Sequence, residues 1–254
     1  MLTDTHTHLH FEQYEADLAE VIERARSTGI EKILTLGTDL PSCQQAIKIA
    51  RKFEPVYAAV GIHPTDIFRC QPNDILLIKD LVSAGNKVVA IGEIGLDLYW
   101  KEVPLPQQLP VFTKMLEIAD ELQLPVVIHN RNAHPQMRSF FEQQGIEHLK
   151  GVMHSFSGSA EDARFYLSRG LHISFTGVIT FKNYSELEIV KSIPVSRLLL
   201  ETDSPFLTPV PKRGKRNEPA FVQYIALKLA EIHGIGFQEI KEITGSNAQK
   251  LFGW

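Results

Sequence analysis

His6 and His8 stand two apart near the start of the chain, in the string TDTHTHLH of residues 3–10. Residues i and i+2 of a strand share one face, so two imidazoles placed this way can grip a metal ion. One such pair among ten histidines is a weak signal alone, and the remaining ligands must come from elsewhere. Five later apolar runs end in similar chemistry. They close on Gly61-Ile62-His63-Pro64, Gly92-Glu93-Ile94-Gly95-Leu96-Asp97, His129-Asn130-Arg131, His154-Ser155-Phe156 and Glu201-Thr202-Asp203-Ser204-Pro205. Buried ionisable groups are costly unless paired or metal-bound, so six recurring in phase point to one shared site.

The elements that would position them follow from hydropathy. Short apolar runs at residues 33–36, 56–60, 88–91, 126–128, 151–153, 171–175 and 198–200 join the opening strand to make eight. They lack polar alternation, as strands buried on both faces of a parallel sheet do. Amphipathic stretches between them predict helices over 12–28, 107–123, 159–169 and 218–233, with a further one over 237–252 packed outside. The pattern predicts an α/β fold, a single-domain (β/α)8 TIM barrel over residues 1–254 with extra C-terminal helices; a doubly wound open sheet is the alternative. In a barrel, chemistry gathers where the strands end, at the C-terminal mouth.

His6, His8, Glu93, His129, His154 and Asp203 together have the chemistry of a two-metal site. The expectation is that His6, His8 and Asp203 hold one divalent ion, His129 and His154 a second, and Glu93 both, since one carboxylate can span ions about 3.5–4 Å apart. Nitrogen and carboxylate donors suit zinc or manganese better than magnesium alone, with the identity left open. Asp203 and Glu93 are the catalytic candidates, Asp203 as acceptor of a water proton. His63 and Arg131 also stand at run ends at the same mouth, and an arginine there can hold an oxyanion through a bidentate fork. Asp4, Asp97 and Glu201 are candidates to orient the ligands. Tyr99 and Trp100 offer faces for base stacking. Asn217 reads as a helix cap, with Glu218 and Pro219 in the first turn. The preceding Lys212-Arg213-Gly214-Lys215-Arg216 is a cationic loop whose Arg213 and Lys215 could steer a nucleic-acid backbone.

The strings DTHTHL, GIHP, GEIGLDLYW, PVVIHNRNA, MHSFSGS, LLLETDSPFLTP and RGKRNEP, in this order, resemble the TatD family of metal-dependent deoxyribonucleases, within the amidohydrolase-like metal barrels. The resemblance spans essentially the whole chain. It implies a (β/α)8 barrel with a dinuclear site, ligand roles for the same six residues, and His63 and Arg131 near the scissile phosphate. It also implies a hydrolase of DNA, often a 3′→5′ exonuclease, with roles in DNA repair or apoptotic DNA breakdown. The chain departs from the family pattern at His10, where Asp or Asn is usual, and at Asn132, where Asp is common.

Composition bounds the partners. A net charge of −4 disfavours extensive coating of a duplex and leaves the end of a strand as a possible partner; the family resemblance is what implies single-stranded 3′ ends of DNA. No apolar run is long enough for a membrane span, and Cys43 and Cys70 make no disulfide framework, so a cytoplasmic monomer is expected. Two other readings use the same residues differently. An amidohydrolase would cleave a cyclic amide, lactone or ester, including an aminoacyl-tRNA ester. A non-enzymatic interaction protein on an inactive barrel is disfavoured because all six ligand positions are filled.

Overall fold

The computed structural model describes residues 1–84 and 87–254. Strand and helix alternate: β1 (Leu2–Thr7), α1 (Leu18–Ser27), β2 (Ile30–Leu36), α2 (Leu40–Lys52), β3 (Val56–Val60), α3 (Asp74–Ala84), β4 (Val88–Asp97) and α4 (Leu105–Glu121). Then come β5 (Val126–Arg131), α5 (His134–Gln143), β6 (Gly151–Met153), α6 (Ala160–Ser168), β7 (His172–Phe175), α7 (Leu187–Ser192) and β8 (Leu198–Leu200), followed by α8 (Val222–His233) and α9 (Phe237–Phe252). The eight strands pair in parallel in chain order from β1 to β8, the sheet of a (β/α)8 barrel. The open-sheet alternative is thereby excluded, because a doubly wound sheet reverses its strand order.

Two apolar layers follow from strand alternation. Leu36, Ala59 and Ala90 are register neighbours across β2, β3 and β4, and Val127 faces Val152 across β5 and β6. These residues form one buried cluster with Leu34 and Leu199, the barrel interior. Ala248, Leu251, Phe252 and Trp254 of the C-terminal segment join the same cluster, so α9 closes the barrel end opposite the mouth. The alternate residues, among them Ile33, Val60, Ile91 and Ile128, pack in the larger cluster with the helices.

The seam between β1 and β8 is built differently from the other seven. A single bridge joins Thr7 to Ser204, supported by His8 N–H donating to the Ser204 carbonyl at 2.8 Å and Asp203 N–H to the His6 carbonyl at 2.9 Å. Deeper in, the Thr5 hydroxyl donates to the Leu200 carbonyl at 3.0 Å. The fully buried Asp4 carboxylate accepts from Thr202 N–H at 2.9 Å, the Thr202 hydroxyl at 2.6 Å and His6 N–H at 3.3 Å. The expected imidazole-orienting role of Asp4 is thus corrected: its carboxylate faces backbone and hydroxyl, and it ties the last strand to the first.

Three further expectations shift. The helix expected over 12–28 is a 3-10 turn at Glu12–Tyr14 followed by α1, and the one expected over 218–233 is a turn at Pro219–Phe221 followed by α8. Asn217 caps no helix. Its side-chain amide donates to the Thr202 carbonyl at 3.0 Å and the Phe206 carbonyl at 2.5 Å, and its oxygen accepts from Glu218 N–H at 3.0 Å. It fastens the loop after β8, while Glu218 pairs with Arg24 at 2.7 Å. β4 runs six residues beyond the apolar run 88–91 and ends on Asp97.

Candidate metal centre and active site

The ends of β1, β4, β5, β6 and β8 converge at the mouth. Glu93 reaches it through an irregularity in its strand. Ala90 faces the interior, and simple alternation would send Glu93 outward into the helical layer. The β4–β5 register shifts between Ile91 and Ile94, both outer-layer residues, and the shift turns Glu93 inward. Gly95 permits the next step, with φ of 142° and a position where a Cβ would collide with the His129 carbonyl. Asp203 and Ser155 have φ of 54° and 45°, left-handed conformations that non-glycine residues adopt at a cost and that cluster at functional sites. Asn132 has φ of 55°, which suits Asn better than most side chains.

The donor atoms fall into two sets on either side of the Glu93 carboxylate. In the first, His6 Nε2 lies 3.3 Å from His8 Nε2, and Glu93 Oε2 lies 3.3 Å from the former and 3.5 Å from the latter. Asp203 Oδ1 completes it at 3.7 and 3.5 Å from the same two nitrogens. In the second, Glu93 Oε1 lies 2.9 Å from His129 Nδ1 and 3.3 Å from His154 Nε2. His6 stacks on His154 with ring centroids 3.7 Å apart, so the sets adjoin. All six sequence-predicted ligands are therefore together, with one Glu93 oxygen facing each set.

The donor spacing fits cations. A tetrahedral shell with ligands at roughly 2.0–2.2 Å separates its donors by about 3.3–3.6 Å, close to the five spacings of the first set. Outer partners fix the tautomers. His8 Nδ1–H donates to the Leu36 carbonyl at 3.2 Å, leaving the Nε2 lone pair facing the cluster. His154 Nδ1 lies 3.2 Å from Glu201 Oε1, which also accepts Ser155 N–H at 2.6 Å. His129 Nε2 donates to Asp97 Oδ2 at 2.9 Å, and Asp97 Oδ1 accepts the N–H groups of Tyr99 and Trp100. Asp97 and Glu201 thus take the orienting positions expected of them.

His63 behaves differently. Its Nε2 lies 3.6 Å from Glu93 Oε1, close to the second set. Thr65 N–H can only donate, and it points at His63 Nδ1 at 3.2 Å, so Nδ1 accepts and the proton sits on Nε2. His63 therefore presents an N–H to the mouth rather than a lone pair. Burial and the nearby His129 push its pKa down to about 3, which keeps it neutral.

The electrostatics of the cluster favour cations. Burial presses His154 toward neutrality, yet Glu201 and Glu93 outweigh it and hold its pKa well above the ordinary value. His129 is raised likewise, against burial, by Asp97 and Glu93, and His8 by Asp203 and Glu93. Burial would raise Glu93, but the surrounding imidazoles keep it well below the usual carboxylate range. The carboxylates demand positive charge at this spot, and divalent cations would supply it.

The rim carries the remaining candidates. Arg131, exposed at the end of β5, lies over the Tyr99 ring with its guanidinium carbon 3.8 Å from the centroid. Tyr99 and Trp100 are half exposed. In the cationic loop, Arg216 is pinned by Asp17 at 2.7 Å, Arg213 lies 3.8 Å over the Phe181 ring, and Lys215 is exposed. His10 packs edge-on against His8, 5.7 Å between centroids, and burial lowers its pKa to about 3. A cavity of about 330 Å³ opens beside His129 and His154, walled in part by Val178, Tyr184, Ile189 and Leu207. Val178, Tyr184 and Ile189 lie outside the sequence motifs and Leu207 carries no chemical signature within one; segments after β7 and β8 bring them together.

A model of the TatD-related DNase family matches residues 3–253. The chain is 47% identical over 253 residues to YabD of Bacillus subtilis, described as an uncharacterized metal-dependent hydrolase, covering 99% of each. It is 34% identical over 247 residues to the 3′-5′ ssDNA/RNA exonuclease TatD of Cronobacter sakazakii, covering 94% of this chain and 93% of that one. The crystal structure of YJJV, a TatD homolog from Escherichia coli K12, superposes with a TM-score of 0.94 at 28% identity, covering 100% of this chain and 98% of that one. With its donor cluster at the barrel mouth, the chain belongs to the TatD-related DNase family of metal-dependent hydrolases.

Proposed function

We propose that this hydrolase cleaves phosphodiester bonds at single-stranded DNA 3′ ends, working 3′→5′ with two divalent ions. The observation that carries the reading is the Glu93 carboxylate with one oxygen facing each of two donor sets. His6, His8, Asp203 and Glu93 would hold one ion, and His129, His154 and Glu93 the other. Bound there, the ions would supply positive charge to a phosphate and acidify water. Asp203 would accept the proton of the attacking water. Its side chain is 16% exposed, against 5% or less for Glu93, His6 and His154, so it is the ligand candidate most accessible from the mouth among these four. His63 would donate its Nε2–H to a phosphate oxygen as a neutral hydrogen-bond donor. Arg131, stacked on Tyr99, would hold another phosphate oxygen as a cation. The direction of digestion and the preference for single strands are supported by likeness to the Cronobacter exonuclease.

The test is a 5′-labelled single strand incubated with metal-stripped protein and added Mg²⁺, Mn²⁺ or Zn²⁺, beside Asp203→Asn. A ladder shortening from the 3′ end, lost with chelator and in the variant, is the expected result. Two bound ions without cleavage of any strand would instead favour an amide, lactone or ester substrate.

Glu201→Gln tests the orientation of the second set. It keeps an acceptor for Ser155 N–H but removes the charge beside His154. Affinity for the ion at the His129–His154 set should fall roughly 10–100-fold, measured by chelator competition, with circular dichroism unchanged. Unaltered affinity would show that His154 needs no such partner.

A further inference from the structure

The cavity beside the donor cluster has no role in the mechanism above. His129 and His154 form part of its wall, so its contents adjoin the reacting phosphate. The rest of the wall is largely apolar: Phe156 after β6, Val178 and Tyr184 after β7, Ile189 on α7 and Leu207 after β8. Arg131, Ser157 and Glu186 supply polar groups. A small apolar chamber with a few polar groups is the usual form of a site for a flat organic group, not for a phosphate.

Its shape is set by two loops in close backbone contact. A Cβ at residue 177 would run into the Leu207 carbonyl, so Gly177 lets the loop after β7 approach the loop after β8. Leu207 itself has φ of 54°, an unfavourable conformation for a branched apolar residue, held by its surroundings. The wall is therefore formed without a ligand. Its volume of about 330 Å³ suits one nucleoside-sized group, at the lower end of the roughly 300–1,000 Å³ range of small-molecule sites. A base pair is too wide to enter while remaining paired.

We propose that this cavity is a nucleobase subsite that takes the unpaired terminal base of a polynucleotide strand while its phosphate lies at the donor cluster. The inference rests on the phosphodiesterase reading and deepens it: the cavity makes fraying of the terminal pair a condition of cleavage. Single-strand preference then comes from shape at one position, and sequence tolerance from apolar contact with the face of any base.

The test uses metal-loaded protein and 5′-labelled single strands of one sequence. One ends in a normal 3′ nucleotide, one in a tetrahydrofuran residue that lacks a base, and one carries that residue three positions inward. For the native protein, KM for the first cleavage should rise about tenfold when the terminal base is absent, a size typical of one stacked base, and change little for the inward lesion. Val178→Trp, which fills the cavity, and Tyr184→Ala, which opens its wall, should each bring the KM ratio between abasic-ended and normal strands close to one. Metal content and circular dichroism report whether either variant is intact. Equal KM for normal and abasic-ended strands in the native protein would overturn the proposal and leave the phosphodiesterase reading standing. Failure to cleave any strand, with both ions bound, would overturn both.

Discussion

Glu93→Gln is expected to lower hydrolysis by about 10²–10³-fold, the loss typical of removing one preorganised electrostatic group from a reacting centre. It should also reduce bound metal from two ions per chain toward one. The reason lies in the position of the carboxylate. Its two oxygens face separate donor sets, with contacts from 2.9 to 3.5 Å to His6, His8, His129 and His154. Two adjacent dications would repel, and Glu93 would supply the negative charge between them. Gln keeps the shape but removes the charge, and its amide nitrogen cannot act as a ligand. Burial alone would push the Glu93 carboxyl up, yet its imidazole neighbours hold it well below the ordinary range, so it is an anion at neutral pH. Metal content by mass spectrometry and turnover on labelled single strands check the result. Two tightly bound ions and a rate within threefold of the native protein would remove the bridging role.

Asp4→Ala is expected to cost about 2–4 kcal/mol of stability, because it leaves buried donors without partners. Asp4 accepts from Thr202 N–H, the Thr202 hydroxyl and His6 N–H at a seam where, among the described residues, one isolated bridge from Thr7 to Ser204 joins β1 to the segment after β8. Asp4→Asn should cost less than half as much, since Oδ1 still accepts both backbone N–H groups and Nδ2 can donate to the Thr202 hydroxyl. Metal affinity should follow stability. Asp203 N–H donates to the His6 carbonyl, so the seam sets the spacing of two ligands of the first donor set. Urea unfolding of metal-free protein and chelator titration separate the two effects. If alanine and asparagine cost the same, packing at the seam matters and hydrogen bonding does not.

Much of the site was legible because a parallel barrel makes sequence position equivalent to spatial position. A polar residue ending an apolar run lies at the mouth, and runs ending in phase share it. His6, His8, His129, His154 and Asp203 needed only this rule to be grouped. Glu93 was selected for its chemistry and its nearness to a run, although alternation from Ala90 points it outward. Only the register irregularity between Ile91 and Ile94 turns it inward. Glu201, two before Asp203, and Asp97, after the strand-four run, were candidates to orient ligands, and their contacts with His154 and His129 place them beside those imidazoles. Asp4 obeyed the same spacing and was misread, because its partners come from β8, almost two hundred residues away.

The sequence by itself determined the eight alternating strand and helix units, the six candidate donors and the cationic, aromatic character of the rim, because these depend on residue type and period; strand order in the structure decided between barrel and open sheet. Tertiary structure decided what depends on contacts between distant segments. It placed one Glu93 oxygen beside each donor set and closed the barrel through Asp4 and Thr202. It put the His63 proton on the nitrogen facing the mouth, through Thr65. It also joined loops after β6, β7 and β8 into an apolar chamber beside His129 and His154. Chain periodicity carries no information about such meetings, since tautomer, register and cavity shape are properties of neighbours in space.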